Sequence, residues 1–201
     1  MIPLPRMRSL PILAAGFLLL GLACLRTATP VVFHTLHAVS PQEGQPGSGP
    51  ALAVEVLPIR LPGVLQRPQI VTSLGPNSLE LSSGHQWGNA LEKDIQRVLV
   101  ENLSALLGSN RVVASPYGTR VNAVYRVEVD VQRCEGRPGG TFSFQATWMI
   151  TGSRGDMALV MRKTTLEEPV QGPDPEALVA AHNRALAALS REIAEGLKGQ
   201  P

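Results

Sequence analysis

The sequence predicts an α+β fold, an antiparallel-dominated, mixed sheet with two helices packed on one face, and three observations carry that expectation. Residues 121–131 place apolar side chains at every second position, with Arg126, Glu128, Asp130 and Gln132 between them, and Phe142, Phe144, Ala146, Trp148 and Ile150 repeat the alternation. That is the pattern of an antiparallel pair with one face on a core and one on water. Two other segments, 86–107 and 174–197, change to spacings of three and four, the helical period. The order strands, helix, meander, helix is then met most economically by one sheet with both helices on the same face.

Taken in order, "VVFHTLHAV" (31–39) is apolar and β-branched enough for a strand. "SPQEGQPGSGP" (40–50) holds three Pro and three Gly in eleven residues and reads as a flexible loop. "ALAVEVLPIRLP" (51–62) is a strand ended by Pro58 or Pro62. Residues 67–84 form two short extended pieces around the turn "GPN". Trp87, Leu91, Ile95, Val98, Leu99, Leu103 and Leu106 then outline an amphipathic helix opened by Trp87 and closed by Gly108. "CEGRPGG" links the two long strands as a hairpin, and a third strand follows at about 157–168 after the turn "GSRGD". The last helix has Asp174 as its N-cap, Pro175 at its first position and Glu176 at the positive end of its dipole. Its buried stripe is Leu178, Ala181, Ala185, Leu189, Ile193 and Leu197.

Residues 1–23 have the three parts of an export signal: Arg6 and Arg8, an apolar stretch from Leu10 to Leu20, and small residues before Cys24. The apolar run is roughly 14–16 residues, short of the ~20 of a membrane span. The expected organisation is a signal peptide, 1–23, and one exported domain, 24–201. Cys24 stands where an acyl-bearing cysteine would follow the cut. Ala23 suits that site, while Leu20 lies one place further out than usual. An ordinary signal peptide or a short uncleaved anchor are the alternatives. Cys134 is then either a lone thiol or the partner of Cys24 in a disulfide.

Two of the 18 Lys and Arg residues, Arg6 and Arg8, belong to the signal, which leaves 16 cations against 16 Asp and Glu. A neutral domain without a basic run, and with 4% aromatics, is not built for nucleic acid. The four histidines, His34, His37, His85 and His182, fall in patterns of packed or solvated side chains, and His34 and His37 would point to opposite faces of a strand. Glu167 and Glu168 likewise face apart. No nucleophile elbow, metalloprotease helix, phosphate loop or dinucleotide fingerprint occurs, so no catalytic, metal or cofactor residues are expected and the protein reads as a non-enzyme.

Two stretches carry more than pattern: Leu61, Pro62, Leu65, Arg67, Pro68, Gln69, Ile70 and Val71, followed by Trp87, Leu91, Ile95, Arg97, Val98, Leu99, Asn102 and Leu103. Together they resemble the PqiC-like auxiliary lipoproteins of ABC-type lipid transport, accessory components of MCE-type systems. "FHTLHAV" is similar to that family's Tyr-Tyr-Thr-Leu strand. His34 stands where an aromatic is common, and Gly88-Asn89 where an acidic residue usually follows the Trp. The resemblance implies a periplasmic subunit lipid-anchored through Cys24, working with an MCE-domain partner and its transporter complex. Leu25 in place of Asp favours the outer membrane. Arg67, Pro68, Gln69, Ile70 and Val71 are the candidate surface for docking a partner or for self-association into a homo-oligomer; the other reading makes Ile70 and Val71 a core-facing strand. A second function, a carrier holding a lipid itself, needs an apolar cavity of several hundred Å³.

Overall fold

The computed structural model describes residues 30–38, 52–117, 121–152 and 157–200. The signal segment, Cys24 and the 40–50 loop lie outside the described residues. Val31–Pro201 is one compact unit. Its strands are β1 (Val32–His34), β2 (Val54–Val56), β3 (Gln69–Gly75), β4 (Ser78–Trp87), β5 (Val112–Ala114), β6 (Tyr125–Gly136), β7 (Thr141–Gly152) and β8 (Ala158–Pro169). Its helices are α1 (Leu91–Leu107) and α2 (Pro175–Lys198).

The fold is α+β with one eight-stranded mixed sheet. The antiparallel meander β6-β7-β8 forms one side of it, in register from Tyr125↔Gly152 to Gly136↔Phe142 and from Thr151↔Ala158 to Thr141↔Pro169. On the other side of β6, β2 pairs in parallel with its first residues and β3 with its last, at Thr72↔Gly136. β2 carries β5, and β3 carries the antiparallel β4 and then the short parallel edge strand β1. The predicted strand 51–62 keeps only Val54–Val56 as a ladder, because Pro58 cannot donate to one. The chain nevertheless runs on beside β6, with Leu57, Arg60 and Val131 backbone N–H groups bonded across at 2.9–3.1 Å.

The alternation is realised from Tyr125 onward in β6 and throughout β7, whereas residues 121–124 precede the strand and are not buried. Val127, Val129, Val131, Phe142, Phe144, Ala146, Trp148 and Ile150 are buried between the sheet and the two helices. The Trp148 indole donates to the Thr164 hydroxyl at 2.9 Å, and Thr164 donates in turn to Glu192 of α2. Gly196 lets α2 approach closely: a Cβ there would stand 3.0 Å from Ile150 Cδ1 and 3.3 Å from the Trp148 ring. The α2 stripe from Leu178 to Leu197 is buried as the spacing predicts. Asp174 occupies the N-cap position in extended backbone but makes no capping bond through its side chain. Pro175 and Glu176 are left to favour that end.

One boundary differs in a way that matters. Trp87 does not open α1; it ends β4, and the helix begins at Leu91 with Ala90 as N-cap. Tertiary pairing decides this. The Trp87 N–H is bonded to Pro68 O at 2.7 Å, and the Gly88 N–H to His34 O at 2.8 Å. These bonds hold residues 87 and 88 between two strands, so the helical spacing 87-91-95 continues a strand end by geometry, not by helix. At its other end α1 closes as expected, on Gly108 in the left-handed region at φ 58°.

Candidate functional site

The two family-like stretches, far apart in sequence, meet at one cleft of about 570 Å³. It is lined by Gln66, Arg67 and Pro68, by residues 87–90, and by Leu91 and Glu92 of the first turn of α1. A neighbouring depression of about 490 Å³ shares Gln66 and Glu92 and extends to Arg60 and Asp130. Gln66, Arg67 and Pro68 are positioned by a single 3-10 turn at Gly63–Leu65, tied by Leu65 N–H to Pro62 O and by the Gln66 side chain to Leu61 O. Leu65 is its buried anchor.

Arg67 is the conspicuous residue of this cleft. Its Nε is buried without a hydrogen-bond partner, and the guanidinium makes no ion pair among the described residues. A buried guanidinium N–H left unmade is costly unless a ligand or water completes it. Arg67 therefore lines the cleft while its buried Nε–H finds no acceptor among the described residues.

The five candidate docking residues divide. Arg67 and Pro68 line the cleft. Gln69 is half-buried and pairs in register with Gln86. Ile70 is 1% and Val71 5% exposed, so both are buried as the core-facing reading expects, although Ile70 also lines a depression of about 260 Å³. Adjacent strand residues face opposite ways, so each of the two is covered on its own face of β3.

The remaining family-like residues are structural. Asp94, buried, accepts the Leu36 N–H at 3.3 Å, and Arg97 donates to Leu36 O at 2.5 Å, so α1 clamps the backbone just after β1 from both sides. Asn89 reaches the same carboxylate at 3.3 Å. Asn102 donates to Ser190 Oγ at 3.1 Å and joins the two helices. Asp94 and Arg97 act through contacts 58 and 61 residues away, which no local spacing reveals.

The histidines pair in a way their spacing does not suggest. His34 Nε2 and His85 Nδ1 share a hydrogen bond of 2.9 Å between β1 and β4. Burial, then the neighbouring imidazole, lowers the His34 pKa, with Glu176 opposing. No cluster of three or more His, Cys, Asp or Glu placed to hold a metal occurs among the described residues. Among the described residues Cys134 is a free, buried thiol pushed up to about 12 by burial and then by Glu135, so in that form it stays protonated near neutrality. Glu167 and Glu168 do face apart, one to Ser143 and the other to Arg184.

His182 lies beneath the cleft, its ring 5.3 Å from Trp87 and 4.1 Å from Phe142, with Nδ1 donating to Leu178 O at 2.8 Å. Burial pushes it down to about 4. The unfolded chain therefore takes up a proton near pH 6.5 that the folded chain refuses until about pH 4. Stability falls as pH drops through that window, by up to ~1.4 kcal/mol per unit and by roughly 3 kcal/mol in all. In His182→Leu this acid-limb loss disappears, so urea unfolding at pH 7 and pH 4 should differ by about 3 kcal/mol less than in the parent. An unchanged difference would mean that His182 charges inside the fold.

The family profile described as ABC-type transport auxiliary lipoprotein component matches residues 34–194, a span that runs from the end of β1 through the cleft and α1 into most of α2. The chain belongs to this family. Among solved structures, an uncharacterized protein matches with a TM-score of 0.66 and 19% identity, covering 84% of this chain and 99% of its own. A protein from Xanthomonas campestris matches with a TM-score of 0.62 and 18% identity, covering 82% and 90%. A comparison with curated proteins found no match. As an ABC-type transport auxiliary lipoprotein, this chain brings its family-like loop and Trp together as adjoining parts of the lining of one cleft.

Proposed function

We propose that this auxiliary lipoprotein is a non-catalytic adaptor, anchored by acylated Cys24 on the periplasmic face of the outer membrane, that docks the MCE-domain component of its transporter through the Arg67–Trp87 cleft. The observation that carries the reading is the buried, partnerless Arg67 Nε in the wall of a cleft assembled from both family-like stretches. Arg in a partly desolvated pocket is a frequent binding hot spot. The competing carrier reading is disfavoured by the interior, where Trp148, Phe142, Phe144, Leu99 and Leu189 fill the space between sheet and helices.

In Arg67→Glu, affinity for the MCE-domain protein in a membrane pull-down should fall at least about tenfold, the loss expected on reversing a hot-spot charge. The thermal midpoint should hold, since no intramolecular bond at Nε is lost. Unchanged binding would remove the cleft from the docking surface. In Cys24→Ser, the protein should leave the membrane fraction for a soluble or signal-anchored form. Fractionation identical to the parent would refute the anchor.

A further inference from the structure

The unit begins with three consecutive exposed apolar residues. Val31, Val32 and Phe33 are 39%, 48% and 64% exposed, and they lead into and form the edge strand β1, which pairs only with β4. A lone exposed apolar residue is ordinary, but a run ending in a largely bare phenylalanine at a sheet edge marks a contact surface. Its position in the chain identifies the occupant. Six residues lie between Cys24 and Val31, and the seven Cα–Cα steps, fully extended, reach at most about 24 Å. Other exposed apolar side chains, Leu74, Leu79 and Leu81 on β3 and β4 and Met157, Leu159 and Met161 at the start of β8, lie much further along the chain from Cys24.

We infer that Val31, Val32 and Phe33 rest on the phospholipid surface that holds the acylated Cys24, so that the edge strand β1 orients the domain on the membrane. The inference rests on the anchor reading given above. A tether this short keeps the patch at high effective concentration at the interface, so that even a weak apolar contact is occupied. Phenylalanine and valine are suited to the boundary between headgroups and acyl chains. Arg26, inside the tether, adds a positive charge toward anionic headgroups. The geometry also links this surface to the docking cleft. His34, three residues beyond Val31, pairs with Trp87 and accepts the Gly88 N–H. Three strand residues span about 10 Å, so a partner seated in the cleft would sit close above the lipid surface.

The test places a thiol-reactive, environment-sensitive dye at Phe33→Cys, at Val32→Cys and at Met161→Cys in the full-length acylated protein. Met161 has the same 64% exposure as Phe33 and serves as the reference. Cys134 is buried and stays protonated, so the label goes to the introduced thiol. The proteins are reconstituted into phosphatidylethanolamine–phosphatidylglycerol vesicles with or without lipids spin-labelled near the headgroup. At positions 33 and 32 the dye should shift to the blue and be quenched about threefold or more beyond position 161, as for a side chain inserted to the headgroup boundary. Equal quenching at all three positions on vesicles that carry the protein overturns the membrane contact and leaves the anchor standing. Protein that does not float with the vesicles overturns the anchor and the contact together. Circular dichroism matching the parent shows that each labelled protein is folded.

Discussion

Replacing Trp87 by Ala should lower the unfolding free energy by about 3–5 kcal/mol, the usual cost of truncating a buried tryptophan. The residue is 5% exposed, ends β4, and packs edge-on against His182 beneath the cleft. Its backbone remains bonded to Pro68 and paired with β1, so secondary structure should survive and the far-UV spectrum should barely change. A domain of this size has roughly 5–15 kcal/mol of stability, so the variant stays folded with a clearly lower denaturant midpoint. Because the residue also lines the cleft, partner binding should fall with stability, whereas Arg67→Glu should lose binding alone. An unchanged midpoint would sink the core assignment and leave Trp87 as a contact residue only.

Ile70→Asp should be more damaging still. Removing the aliphatic side chain from a site that is 1% exposed costs about 2–5 kcal/mol by itself. A carboxyl in its place is either ionised in the core or held neutral there without a partner, and each adds several kcal/mol at neutral pH. The sum approaches the whole stability of the domain, so we expect an unfolded or aggregated protein in the soluble fraction assay and loss of the cooperative transition in dichroism. A folded Ile70→Asp with only weakened partner binding would return Ile70 to the docking surface. Arg67, just before β3, and Ile70, within it, thus report different things: the first on recognition, the second on the core.

Much of this fold is legible in local pattern because its largest elements are amphipathic. The period-two alternation of 125–131 and 142–150 and the period-four stripe of 178–197 match the buried faces of β6, β7 and α2 residue by residue. The short strands are not legible in this way. β5 was not expected at all, and β1 and β2 hold three residues each. Strands so short have no period to read, and they exist because β4 and β6 offer partners to them.

The sequence by itself determined the α+β class, the two helices with their inward faces, the long meander, the neutral charge and the family. Each of these follows from side-chain alternation or from a contiguous motif, and neither depends on where the rest of the chain goes. Only the tertiary structure decided that Trp87 ends a strand instead of opening a helix, that Ile70 and Val71 are core while Arg67 lines the cleft, and that His34 meets His85. Those outcomes depend on backbone bonds from Pro68 and His34 to residues 87 and 88, and on a helix clamping Leu36 from some 60 positions away. A hydrogen bond between distant segments leaves no periodic trace in either one, which is why the cleft became visible only when the two motifs were seen side by side.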